Sequence, residues 1–183
     1  MRYRVDSSRS RFIVQAFAKG LLSAFGHNPR LAVRDFEGKA EFDPAAPNAA
    51  SLRMAARVDS LALIDDVSEK DRREIERVTR EELLEAARYP EIVFQSAIVT
   101  ARQAAEGRYQ VRIVGDLSLH GVTLELVIDV MATFDGDDLR AQGGFPLRLT
   151  DFNIRPISVA GGLLKLKDEV QLSFDILARA PRE

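Results

Sequence analysis

A chain of 183 residues is long enough for one domain with a sizeable core, and 46% apolar with 30% charged residues is ordinary globular composition. A net charge of −2, with acids and bases interleaved, gives no electrostatic case for nucleic acid or an anionic membrane as partner. The absence of cysteine excludes disulfides, thiolate metal sites and cysteine nucleophiles, and suits a reducing compartment.

The opening MRYRVDSSRSRF has no apolar leader core, and no run approaches a bilayer span. The sequence therefore predicts a cytoplasmic protein without stable membrane insertion; a chain already trimmed of a leader would read the same and be periplasmic or secreted. Period-two alternation dominates the next fifty residues, predicting strands at 11–19, 31–43 and 51–60. In the second, Phe36, Gly38, Ala40 and Phe42 alternate with Asp35, Glu37, Lys39 and Glu41. The turn residues Gly26-His27-Asn28-Pro29, Asp43-Pro44 and Pro47-Asn48 separate the three.

Residues 68–88 read differently, being charged and rich in helix formers. Ser68 with Asp71, and Thr79 with Glu82, have the spacing of helix-start capping boxes, predicting short helices over 69–78 and 80–88. Ile75, Val78, Leu83, Leu84 and Ala87 supply a narrow apolar stripe. It could lie against a sheet or over the end of a barrel, or belong to a solvated excursion.

Strands resume at 91–100, 108–120, 122–134, 138–150 and 168–180, with turns at Glu106-Gly107 and Asp135 to Asp138. Between 111 and 119 the apolar residues are odd-numbered; from Val122 to Val130 they are even-numbered. A two-residue hairpin loop makes the sum of paired positions odd, so one continuous apolar face must change parity there. The loop is either His120-Gly121, pairing Leu119 with Val122, or Gly121-Val122, pairing Leu119 with Leu124. Eight mostly antiparallel strands with one helical insertion give a mainly β fold, a closed barrel or a two-sheet sandwich. Closure is favoured because long open edges invite aggregation.

Reaction chemistry is thinly represented. His27 and His120 each sit beside a turn glycine with no carboxylate at ligand spacing, which argues for structural roles and no metal. Asp116, Ser118 and His120 lie in a row along one strand face instead of converging on a reacting atom. Asp65-Asp66 and Asp137-Asp138 read as turn carboxylates, and Gly143-Gly144 and Gly161-Gly162 lack the strand-to-helix context of a phosphate loop. No enzyme activity and no cofactor are expected.

The apolar faces are more informative. Phe12, Phe36, Phe42, Met54, Phe94, Leu117, Leu126, Ile128, Phe145, Leu172 and Phe174 would line one enclosed surface if the faces turn inward. Periodicity alone leaves open whether these side chains fill the core or surround a cavity, since eight strands permit both. The small residues Gly38, Ala40, Ala56, Ser96 and Gly115 on the same faces argue mildly for space.

Several stretches resemble the YceI-like family. YPEIVFQS (89–96) is similar to its strand-entry signature, and GDLSLHGVT (115–123) to its hairpin. RVDSL (57–61), LTDFNI (149–154) and GGLLKLKDEV (161–170) follow in matching order, so the likeness spans about positions 3 to 180. One departure stands out: many relatives carry Arg-Ser-Asp-Phe-Gly where this chain has Leu149-Thr150-Asp151-Phe152-Asn153, so an arginine and a glycine are missing. The resemblance implies a single lipocalin-like eight-stranded antiparallel barrel over 1–183 with a short helical insertion at about 68–88. It favours an open lumen, lined by the eleven residues above, that binds, sequesters or transports a long-chain isoprenoid-like or other amphiphilic lipid. It also implies a homodimer. The alternative is a filled barrel serving as a protein-interaction or stress-response module.

Overall fold

The computed structural model describes residues 1–19, 28–156, 158–159 and 164–181. His27 and the Gly161-Gly162 pair lie outside the described residues. The strands are β1 (Arg2–Val5), β2 (Arg11–Lys19), β3 (Arg30–Val33), β4 (Phe36–Glu41), β5 (Ser51–Arg57) and β6 (Leu61–Leu63), then β7 (Glu91–Ala105), β8 (Arg108–Leu119), β9 (Val122–Asp135), β10 (Asp138–Arg148), β11 (Ser158–Val159) and β12 (Leu164–Arg179). One helical segment, α1 (Glu69–Arg77) continued by a π-helical turn (Val78–Leu83), lies between β6 and β7.

Hydrogen bonding runs β1-β4-β5-β7-β8-β9-β10-β12 and returns to β1, closing an antiparallel barrel of eight ribbons. The first three ribbons are each broken in two, which is why β12 also pairs with β2, β2 with β3, and β3 with β6. Every ribbon therefore neighbours the next in sequence, and the last meets the first. Each ribbon thus has a neighbour on both sides, although β7 meets β5 only over Glu91–Gln95 and β9 meets β10 only over Val130–Asp135.

The breaks explain where strand limits differ from expectation. The predicted strand 31–43 divides at Arg34-Asp35, although Arg34 N–H still donates to Ser60 O and Arg57 N–H to Asp35 O. The predicted 51–60 strand gives way to a 3₁₀ turn at Val58–Ser60 before resuming as β6. The N-terminal strand β1 carries too few residues to show an alternating pattern. It is joined to β2 through a turn whose N-cap is Asp6, accepting from Ser8 N–H at 3.2 Å.

The helical region also departs from expectation. Ser68 Oγ does cap the first helix, accepting from Asp71 N–H at 3.1 Å. No second helix begins at Thr79, however; that residue lies inside the continuous segment, and Leu84 N–H reaches back five residues to its carbonyl. The reason is visible on the neighbouring strand. β7 pairs with β5 only through Glu91–Gln95, leaving the outer edge of β6 without a strand. Side chains four residues apart on one helical face take its place. Arg72 donates to Leu63 O, Glu76 Oε1 accepts from Leu63 N–H at 2.9 Å, and Arg80 Nε donates to Leu61 O at 2.9 Å. The helix thus covers an edge that would otherwise be open.

At the ends of the β8–β9 hairpin the pairing is Leu119 with Val122 and Leu117 with Leu124, so His120-Gly121 is the loop. Both residues have left-handed φ, 52° and 76°, as a type I′ turn requires. The apolar face runs unbroken across it.

Candidate functional site

The inward faces enclose a cavity of ≈ 720 Å³. Ten of the eleven residues expected to surround a lumen line it; Leu126 does not. Leu126 lies across from Gly115, where the Phe94 ring occupies the wall, and it packs into the core instead. The lumen is therefore open, not filled by its own phenylalanines and leucines.

Inward glycines help to keep it open. A Cβ on Gly38 would collide with Met54 Sδ, one on Gly115 would sit 2.6 Å from Phe94 Cζ, and one on Gly143 2.7 Å from Phe174 Cζ. Each large side chain thus lies flat in a notch of the wall instead of projecting across the space. Ser96, counted among the small residues, serves the ladder and not the lumen. Its Oγ accepts from Leu52 N–H at 2.8 Å where the β5–β7 pairing ends.

The two ends of the barrel are unlike. At the end carrying Met1, Arg179 and the β7–β8 and β9–β10 turns, aromatic rings pack together. Phe42 stacks on Phe134 at 4.2 Å, and Tyr109 meets Phe42 edge-on at 5.0 Å. Tyr3 contacts Phe134 at 5.8 Å, and burial, then the nearby Asp137 carboxylate, push its phenol above the usual range. At the other end the helical segment acts as a lid. Ile75, Val78, Leu83 and Leu84 line the cavity, whereas Ala87 is exposed. The apolar stripe read from the sequence is thus a lid surface with four contributing members.

Sequence reasoning missed the residues that close the wall beneath the lid. Leu149 and Ile154 line the cavity, Ile154 is fully buried, and Phe152 is 1% exposed beside them. Their only signal is a short apolar triplet with irregular spacing in LTDFNI. Asn153, which replaces the glycine of the family pattern, has φ 56° and adopts the left-handed conformation nonetheless.

His120 joins three segments. Its Nδ1 meets Phe152 O at 3.2 Å, its Nε2 meets the Glu85 carboxylate at 2.8 Å, and its ring lies 4.5 Å from that of Tyr89. Glu85 itself has φ 46° and ends the lid, its carbonyl accepting from Arg88 and Tyr89 N–H. The expected structural role is thus a specific one: the histidine fastens the lid's end to the hairpin. Ser118 bonds Thr123 Oγ1 at 2.7 Å, so the Asp116-Ser118-His120 row does not converge. Among the described residues no group of three His, Asp or Glu is placed to hold a metal.

Comparisons with known proteins agree with this geometry. A model described as the YceI-like domain matches residues 3–178. A UPF0312 protein of Pseudomonas savastanoi pv. phaseolicola is 32% identical over 130 residues, which span 67% of this chain and 62% of that protein. A UPF0312 protein of Pseudomonas putida (strain W619) is 27% identical over 92% of this chain and 84% of its own. Among solved structures, Burkholderia cenocepacia BcnA superposes with a TM-score of 0.71 at 21% identity, covering 94% of this chain and 98% of that one. A polyisoprenoid binding domain from Saccharophagus degradans does so with a TM-score of 0.70 at 14% identity, covering 98% of each. At these identities the two superpositions establish the fold alone.

Proposed function

The chain belongs to the YceI-like domain family, and on that footing we propose that it is a non-enzymatic carrier that holds a long apolar chain, isoprenoid-like in character, inside its barrel. The observation that carries the reading is the ≈ 720 Å³ apolar cavity, backed by aromatic rings at one end and covered by a helical lid at the other. At ~30 Å³ per methylene-sized group it has room for about two dozen. Imperfect packing reduces that to roughly fifteen to twenty carbons.

Energetics agree with a chain of that size. Burying fifteen methylenes is worth about 12 kcal/mol at ~0.8 kcal/mol each. Association costs about 4–15 kcal/mol, so a tail of a few carbons would not be retained, whereas one of about fifteen offsets most or all of that cost. The polyisoprenoid-binding description of the Saccharophagus degradans domain supports the choice of chain. Organic extraction of the purified protein followed by lipid mass spectrometry tests the proposal. The expected result is about one amphiphile per barrel, or stoichiometric uptake of added geranylgeraniol by the emptied protein. The absence of both a co-purifying amphiphile and uptake would overturn it.

A further inference from the structure

The route by which a chain reaches the lumen follows from where the wall is weakest; this inference rests on the carrier reading above. The lid is tied down along its length. Arg72 donates to Leu63 O and Asp65 O, Glu76 accepts from Leu63 N–H, and Arg80 donates to Leu61 O. Glu85, at its end, is held by His120. The opposite end of the barrel is packed with aromatic rings. Passage through either end would break several of these contacts together.

The wall between β9 and β10 is different. Their pairing runs from Asp135–Asp138 to Val130–Gly143 and stops, although β9 begins at Val122 and β10 continues to Arg148. The cause lies in β10. Ala180 N–H donates to Asp137 O, so the odd-numbered residues of β10 bond β12 and the even-numbered ones point their backbone groups at β9. At the same register Pro146 would meet Val127, and proline has no N–H to give. The pairing does not resume before the 3₁₀ turn Leu149–Phe152, where Phe152 O meets His120 Nδ1 at 3.2 Å and closes the upper end of the split.

Apolar groups occupy this split. Leu124 and Leu126 face inward from β9 and Phe145 from β10, yet all three are only half-buried. On the outside Val127 is 53% exposed and Pro146 is exposed, so the rim is apolar as well. Turning a leucine aside breaks no hydrogen bond and is a fast rotamer change, whereas opening a lid is a slower collective motion.

We infer that the apolar chain enters and leaves sideways, through a window between 122–127 of β9 and 145–148 of β10, while the lid stays shut. Leu126 is its gate. It lies on the inward face but does not line the cavity, so it obstructs passage without touching the bound chain.

The test follows uptake and chase-out of radiolabelled geranylgeraniol by the full chain. The sequence has no cysteine, so Val127→Cys can carry a single bulky maleimide at the rim. Glu37→Cys, exposed on β4, carries the same label as the control. Labelled Val127→Cys should slow uptake and release alike, at least about tenfold, with Kd changed by less than about twofold. Leu126→Ala should speed both by a similar factor, and Arg80→Ala, which loosens the lid, should leave both unchanged. Matched changes in the two rates at constant Kd mark a passage, since a lost binding contact would alter Kd. Rates unmoved by the rim label or by Leu126→Ala, an equal effect of the label at Glu37→Cys, or faster exchange in Arg80→Ala overturns the window and leaves the carrier reading intact. No uptake by the unmodified protein overturns the carrier reading and the inference with it.

Discussion

Replacing Ala141 by phenylalanine adds a ring to the lumen without touching the lid. Ala141 lines the cavity from β10, paired with Ala132 on β9 and Ile176 on β12, and is half-buried. The new ring occupies the room of about six methylene-sized groups, and at ~0.8 kcal/mol each a C20 chain that filled the lumen would lose about 4–5 kcal/mol. That is roughly a thousandfold in affinity. The protein itself should keep or slightly raise its melting temperature, because an apolar ring enters an apolar void instead of an already packed core. Competition binding gives the affinity and a thermal melt verifies the fold. A chain about six carbons shorter should bind the variant nearly as well as it binds the native protein, since the ring takes the place of the missing carbons. A folded variant that binds the C20 chain with native affinity would refute the placement of the chain in the lumen.

Three further outcomes rest on named contacts. Arg80→Ala removes the donor to Leu61 O and should cost about 1.5–3 kcal/mol in denaturant unfolding, with faster amide exchange in β6 and the lid. Native exchange there would show that the helix does not hold the strand edge. Gly121→Ala strains a residue at φ 76° and puts a Cβ 2.7 Å from the Tyr89 ring; we expect a loss of about 2 kcal/mol, or roughly 4–8 °C in melting temperature. Asp175 is held below the usual carboxylate range, first by hydrogen bonds from Arg140 and then against the opposing effect of burial. A depressed folded-state value stabilises above the unfolded carboxylate range, and the contribution is lost as pH falls through the folded value. Asp175→Asn should therefore flatten the acid limb of a stability–pH curve and leave its shape near neutrality unchanged; an unchanged acid limb would contradict that assignment.

The sequence carried much of this architecture because alternation and parity are local properties. The odd-to-even switch at His120-Gly121 required a two-residue loop, and Leu119 does pair with Val122. The inward faces were legible for the same reason, which is why ten of eleven expected lining residues meet the cavity. Less was legible where structure depends on partners distant in sequence. The 69–83 segment stays continuous because Glu76 and Arg80 bond the edge of β6, and Thr79-Glu82 spacing gives no hint of that. The joining of Glu85 to His120 bridges 35 residues and involves a residue at positive φ, which no periodic pattern signals. Whether the lumen was open could not be read from composition, because it turns on Met54, Phe94 and Phe174 lying over Gly38, Gly115 and Gly143.

The most direct measurement is an isotope-filtered NOE experiment on the protein, ¹³C-labelled at Ile, Leu and Val methyls, with unlabelled geranylgeraniol. The account predicts cross-peaks from chain protons to the inward methyls of Leu117, Ile128 and Leu172. Cross-peaks confined to the exposed side chains of Ile98 and Val127 would place the chain outside the barrel and contradict it.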